Sequence, residues 1–296
     1  MVKSRQWVLT SRPDHKMTEE HFQLKEADLG EVPNGGALFS ARILACRLFL
    51  QCYFSSLWRP YNTGVAVRML YLSVDPTQRI WSSSVKQYMP NQPLNDAFRA
   101  LGAGIVEKSR NSNFNEGDYV LGALCWQTHY VSSDGSELTK LDPELPIEAQ
   151  MSALGMVGET AWMCLKDYVK KDDVVLISAA LGGVGSIGGQ LAKLLGAKKV
   201  VGIVGSESKV ERAKKEFGYD VCINRNNESD IEAAIARESP EGVDVYLDNV
   251  GPPILDAAIA NMNLFGRIPI CGMISSYEQF SSDKTRGNVK VRPTLS

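Results

Sequence analysis

The sequence predicts an α/β protein in two parts, a β-rich first half followed by a doubly wound parallel sheet. Three observations carry this expectation. Residues 174–196, VVLISAALGGVGSIGGQLAKLLG, pass from a β-branched apolar run through a glycine-rich turn into apolar residues at helical spacing. Beyond them, strand-like and helix-like segments alternate. Ahead of them, short strand-like runs are separated by glycine, asparagine and aspartate.

From residue 6 to residue 141 the signals are strands and turns. VAVRMLYLSV (65–74) alternates, and GAGIVEKS (102–109) and DYVLGAL (118–124) are strand-like, which predicts a barrel-like domain. Pro143 and Pro146 mark a boundary, and residues 147–169 carry apolar and small side chains at helical spacing. Strands are then expected at 174–178, 199–204, 220–224, 243–248 and 266–272, with helices at 186–195, 207–217, 228–238 and 253–262. Such an order implies a parallel sheet covered on both faces, with its ligand crevice at the carboxyl ends of the strands. The expected organisation is a first domain over 1–146, a second over 147–277 and an irregular tail over 278–296.

At 296 residues the chain has room for two ordinary cores, and 44% hydrophobic with 22% charged residues describes a globular protein. A net charge of −2 gives no electrostatic reason to expect nucleic acid or an anionic membrane as partner. The six cysteines, at 46, 52, 125, 164, 222 and 271, show no C-x-x-C pairing. They read as buried thiols of a reducing compartment rather than metal ligands or a disulfide framework. The N-terminus lacks the apolar core of a signal peptide, so a cytoplasmic location is expected. Residues 43–58, ILACRLFLQCYFSSLW, are strongly apolar but short and broken by Arg47 and Gln51, which argues against a spanning helix.

Gly183, Gly185 and Gly188 spell G-x-G-x-x-G between a strand and a helix. That context lets a backbone approach a pyrophosphate closely and places it at a helix N-terminus, as in dinucleotide-binding units. Sites for NAD carry an acid about 20 residues further on, at the end of the second strand. Here that strand ends in Gly205 and Ser206, followed by Glu207, Ser208 and Lys209. Ser206 reads as an N-cap, which puts Lys209 against the helix dipole in the first turn, a conflict that a bound 2′-phosphate removes. Arg225, directly after the third strand, supplies a second, forked cation. The alternative for both is a solvated surface charge, with Glu207 offsetting Lys209. Together they favour NADP(H) over NAD(H). Asn249, ending the fourth strand, and Cys271, Gly272, Met273, Ile274, Ser275, Ser276 and Tyr277, ending the fifth, fall where a ribose and nicotinamide lie. Asp248, Asn249 and Tyr277 can equally be read as turn formers and a boundary aromatic.

LYLSVDPTQRIW (70–81), QYMP (87–90), GAGIVEKS (102–109), SAALGGVGSIGGQLAKLLG (178–196), VVGIVGSESK (200–209), GVDVYLDNVG (242–251) and FGRIPICGMISSY (265–277) carry a family resemblance. Through them the chain resembles the zinc-independent medium-chain reductases of the prostaglandin reductase and alkenal double-bond reductase group. The resemblance implies a GroES-like catalytic domain, a Rossmann-type cofactor domain, and NADPH-dependent reduction of the carbon–carbon double bond of enones. It implies that Gly182, Gly183, Val184 and Gly185 face the pyrophosphate and that Lys209 binds the 2′-phosphate. It further implies that Asn249 and residues 271–277 line the ribose and nicotinamide. Arg225 replaces a tyrosine usual in the group. Gly122 and Ala123 match a substrate-side strand where relatives carry larger residues. The Gly-His-Glu metal motif of the zinc-dependent cousins is absent. Mechanistically, the β-carbon receives hydride and Tyr277, with the ribose 2′-hydroxyl, is the expected donor to the developing enolate oxygen. Quinone reduction and a non-catalytic dinucleotide-binding remnant are the competing readings.

Two stretches depart from the group. Residues 38–64 have no counterpart, and deleting them joins NGGA to VAVRMLYLSVDP, as expected if the segment is unspliced or mispredicted. After Tyr277 the chain is polar, where relatives continue with a sixth strand that completes the sheet and carries a homodimer contact. The sequence therefore predicts C-terminal truncation, an unpaired sheet edge and loss of that contact.

Overall fold

The computed structural model describes residues 2–13, 16–32 and 63–281. Nearly all of the segment 38–64, including the apolar run 43–58, lies outside the described residues, as does the chain from 282 onward. The chain divides into two compact units, Met1–Leu145 with Tyr277–Ser296, and Pro146–Ser276.

The first unit is built from β1 (Lys3–Leu9), β2 (Phe22–Asp28), β3 (Val65–Leu72), α1 (Thr77–Trp81), β4 (Gly102–Ser109), β5 (Tyr119–Gly122), β6 (His129–Ser132) and β7 (Thr139–Lys140). β1 and β2 pair antiparallel, and the remaining strands form an antiparallel sheet ordered β6-β3-β4-β5-β7. Val65, Val67, Val106, Val120, Leu124 and Leu138 gather around Phe114 as one buried cluster. Alternate residues of β3 face that cluster, as a pleated strand requires.

The second unit opens with α2 (Ile147–Met151) and α3 (Met156–Leu165). It continues through β8 (Val174–Ser178), α4 (Gly183–Leu194), β9 (Lys199–Val204), α5 (Glu207–Glu216) and β10 (Val221–Asn224). The last elements are α6 (Ile231–Glu238), β11 (Val243–Leu247), α7 (Ile254–Ala260) and β12 (Met262–Arg267). Its strands are parallel in the order β10-β9-β8-β11-β12, so successive crossovers reverse direction between β8 and β11. Both faces are covered. On β8, Val175 and Ile177 join one buried cluster while Leu176 joins the other. The doubly wound parallel sheet expected from the sequence is therefore present, and each of its first four strands lies within a residue of its expected place.

Three boundaries differ. α4 begins at Gly183 rather than 186, because the glycine turn is itself the first helical turn. The fifth strand occupies Met262–Arg267 rather than 266–272. Pro269 lacks an amide hydrogen, and beyond it only an isolated bridge joins Ile270 to Asp248. Within β12 the pairing skips from Val243 opposite Met262 to Val245 opposite Arg267. The intervening residues bulge outward, with Leu264 85% and Phe265 84% exposed and Phe265 at a φ of 64°. Finally, where the sequence predicts an irregular tail from residue 278, a 3-10 helix runs from Ile274 to Ser281.

Candidate functional site: a glycine turn and two cations at the carboxyl edge of the sheet

The carboxyl ends of β8, β9 and β11 meet at the point where the strand order reverses, the usual ligand crevice of open α/β sheets. β8 leaves its last residue, Ser178, into Ala179, which adopts a φ of 48°, and the chain turns back on itself. Gly182 caps α4 in an extended conformation and donates its N–H to Ala179 O at 2.8 Å. Helical geometry leaves the N–H groups of Gly183, Val184 and Gly185 without acceptors inside the helix. Gly185 is required at its place: a Cβ there would lie 2.3 Å from Ala179 O. Val184 turns the other way, onto the apolar cluster that contains Leu165 and Ile177.

Beneath this turn lies a residue that sequence reasoning missed. Tyr219, 3% exposed, directs its phenol to Gly185 O at 2.7 Å and Ala180 O at 3.2 Å. It thereby fastens α4 to the end of β8, and burial pushes its pKa well up, so it stays a donor. A single tyrosine after Gly218 carries no signal of this role, which depends on β10 returning beside β9.

At the end of β9, Ser206 occupies the expected N-cap position of α5 with extended backbone. Its hydroxyl faces Ser208 Oγ at 3.2 Å instead of capping the helix. Lys209 is exposed in the first turn and makes no ion pair among the described residues. Glu207 does not offset it, since its carboxylate accepts from Asn224 Nδ2 at 3.2 Å and Asn227 Nδ2 at 3.3 Å. Arg225 donates its backbone N–H to Val204 O at 2.9 Å, and its Nε lies 3.7 Å from where a Cβ on Gly205 would be. Its side chain thus lies over the bend that starts α5, unpaired among the described residues.

Across the switch point, Asn249 bridges β11 and β8. Its N–H donates to Ser178 Oγ at 2.9 Å and its Nδ2 to Ser178 O at 2.7 Å. Asp248 is fully buried and its Oδ1 accepts from Tyr246 Oη at 2.7 Å, Gly251 N at 2.9 Å and Val250 N at 3.0 Å. It is the brace of this turn. The chain after Pro269 is tied to it: Cys271 N and Gly272 N donate to Asp248 O at 2.8 and 3.0 Å. Ser275 N and Oγ donate to Val250 O at 3.1 and 2.6 Å. Met273, Ile274 and Ser276 complete the segment.

Gly182–Gly185, Lys209, Arg225, Asn249 and residues 271–276 thus share one edge of the second unit. Tyr277 belongs to the first unit, as do Gly122 and Ala123. Gly122 is buried, and a Cβ there would sit 2.8 Å from Glu137 O. Ala123 is half-buried. Among the described residues no cluster of His, Cys, Asp and Glu could hold a metal ion, and no helix is long and apolar enough to cross a membrane.

A parallel sheet with this turn and this edge defines a dinucleotide-binding α/β unit. Residues 183–295 match the family described as zinc-binding dehydrogenase, and residues 55–141 the N-terminal domain of oxidoreductase. The chain is 39% identical to the NADP(+)-dependent 2-alkenal reductase of Nicotiana tabacum, over 73% of this chain and 64% of that protein. It is 36% identical to prostaglandin reductase 1 of Mus musculus, over 94% of this chain and 75% of that protein. The crystal structure of CurA in complex with NADPH from Vibrio vulnificus superimposes with a TM-score of 0.79 at 31% identity. That match covers 95% of this chain and 75% of CurA. The chain belongs to the zinc-independent medium-chain dehydrogenase/reductases, a family of NADP-dependent oxidoreductases, in the group that holds the prostaglandin and alkenal reductases.

Proposed function

We propose that this protein reduces the carbon–carbon double bond of α,β-unsaturated ketones and aldehydes with NADPH, in the manner of its alkenal and prostaglandin reductase relatives. The observation that carries the reading is the pair of uncompensated cations, Lys209 and Arg225, beside a glycine turn that a single Cβ at Gly185 would close. Those residues fit the coenzyme: the N–H groups of Gly183, Val184 and Gly185 suit a pyrophosphate, and the two cations suit a 2′-phosphate. Asn249 and residues 271–276 would take the ribose and nicotinamide.

When bound, the coenzyme supplies hydride to the β-carbon of the enone. The protein's own contribution is electrostatic. Charge develops on the substrate carbonyl oxygen, and a preorganised donor there is worth ~3–4 kcal/mol in enzymes where one has been removed. Tyr277 is our candidate for that donor, holding its phenolic proton toward the oxygen while solvent protonates the α-carbon. Gly122 and Ala123 belong to the proposed substrate side, within a GroES-like first domain over 1–146; 147–277 is the proposed NADP domain. A cytoplasmic location accords with this reading.

The experiment is a titration of the full chain with NADPH and NADH, followed by NADPH oxidation with an alkenal and with a quinone. The proposal requires tighter NADPH binding and turnover of the alkenal. Equal affinity for the two coenzymes would remove the role given to Lys209 and Arg225. Turnover of the quinone alone would replace the substrate class.

A further inference from the structure

Cys164, on the last turn of α3, and Cys271, just beyond Pro269, are far apart in sequence but meet side by side in the second unit. Both pack, half-buried, against the apolar cluster of Leu165, Ile177 and Leu247. Their thiols hydrogen-bond to one another, with the Cys271 S–H donating to Cys164 Sγ. We propose that Cys164 and Cys271 are a modification site, a dithiol that a hydroperoxide closes to a reversible disulfide.

The pair is built for this in a way the other described cysteines are not. The hydrogen bond from Cys271 holds the Cys164 thiol down to about 7, so the nucleophilic thiolate is well populated near neutral pH. The same bond and burial push Cys271 up, which keeps its proton in place as the donor. Cys222, by contrast, is pushed up to about 12 by burial and has no sulfur partner. Cys125 lies in the first unit. Sulfurs already in hydrogen-bonding contact need a further approach to about 2.05 Å to bond.

The chemistry balances as follows. The Cys164 thiolate attacks one peroxide oxygen, the O–O bond breaks, and the departing hydroxide leaves as water after protonation. Cys164 is then a sulfenic acid. The Cys271 sulfur attacks the Cys164 sulfur, the S–O bond breaks, and the departing hydroxide combines with the Cys271 thiol proton as a second water. Two thiols are oxidised and one hydrogen peroxide is reduced to two waters. An external dithiol reverses the bond by exchange. The disulfide would join α3 covalently to the segment 271–276, which is already hydrogen-bonded to Asp248 O and Val250 O. If that segment lines the nicotinamide, as proposed above, oxidation alters coenzyme affinity, but the disulfide itself does not rest on that reading.

The test is peptide mapping of the full chain after hydrogen peroxide, with free thiols blocked by iodoacetamide and digestion without reductant. The expected product is a cross-linked peptide pair holding Cys164 and Cys271, lighter than the two thiol peptides by two hydrogens. It should disappear with dithiothreitol and be absent in Cys164→Ser and Cys271→Ser. Sulfinic acids without a cross-link, or a cross-link from either residue to another cysteine, would overturn the proposal. Circular dichroism of both variants, matching that of the parent chain, guards against a loss of folding. Because the readout is a mass, its failure is distinguishable from failure of the reductase reading, which is read by coenzyme titration.

Discussion

The buried phenol of Tyr219 stands 2.7 Å from the carbonyl oxygen of Gly185, so the glycine turn is fastened from below by a side chain 34 positions away. Removing the hydroxyl leaves two buried carbonyls, Gly185 O and Ala180 O, short of a donor. We expect Tyr219→Phe to cost about 1–3 kcal/mol of stability. Urea unfolding reads that loss. NADPH affinity should fall with it, whereas an unchanged midpoint would show that the strut is dispensable.

The cations make a separable prediction. Lys209→Ala and Arg225→Ala should each weaken NADPH binding about tenfold to a hundredfold, the equivalent of ~1.5–3 kcal/mol for a hydrogen bond to a charged group. NADH binding should stay within about twofold, since it offers no 2′-phosphate for that bond. Fluorescence titration of both coenzymes checks this. A parallel loss of both would place the side chains elsewhere than at the phosphate.

Gly185→Ala tests the cradle. The added methyl would lie 2.3 Å from Ala179 O, a backbone atom that cannot swing aside. Overpacking of this kind costs about 1–3 kcal/mol. The expected result is a lowered melting temperature together with loss of NADPH binding.

Asp248→Ala strips the brace from the turn after β11. Tyr246 Oη, Val250 N and Gly251 N would each lose their acceptor in a fully buried place. At roughly 1–3 kcal/mol for each unmet buried donor, the variant should unfold at far lower urea or fail to accumulate folded. A stable Asp248→Ala protein would contradict that arrangement.

The thiol pair predicts a pH profile. A thiolate reacts and a thiol does not, so Cys164 alkylation should rise with pH and reach half its plateau near pH 7, the value to which the Cys271 S–H lowers it. Cys271→Ala removes that donor and should move the profile upward, toward the ordinary thiol range of about 8.5. Iodoacetamide rates followed by peptide mass provide the measurement.

How far the sequence could be read depended on whether its signals were local. β8 was legible because all five of its residues are buried, so an unbroken β-branched run stands out between turn residues. Lys209 and Arg225 were legible because each follows directly on a strand end. β12 was misplaced because FGRIPICG has the composition of a strand. Pairing nonetheless starts four residues earlier, at Met262, and Pro269 interrupts the ladder. The roles of Tyr219 and Asp248 were invisible for a different reason. Each exists only after separate βα units have docked, and no pattern along the chain encodes that meeting. Asp248 read as a turn former, and it does form the turn, but through a buried carboxylate gathering donors from both sides.

The second unit is one unbroken stretch, Pro146–Ser276, whereas the first draws on Met1–Leu145 and again on Tyr277–Ser296. Translation runs from one end only. All of the later unit has therefore been polymerised before the earlier one owns its last residues, Tyr277 among them. At about 5–20 residues per second, that interval lasts many seconds. The parallel sheet can therefore acquire its native wiring on the ribosome while its elder neighbour still waits for its closing segment.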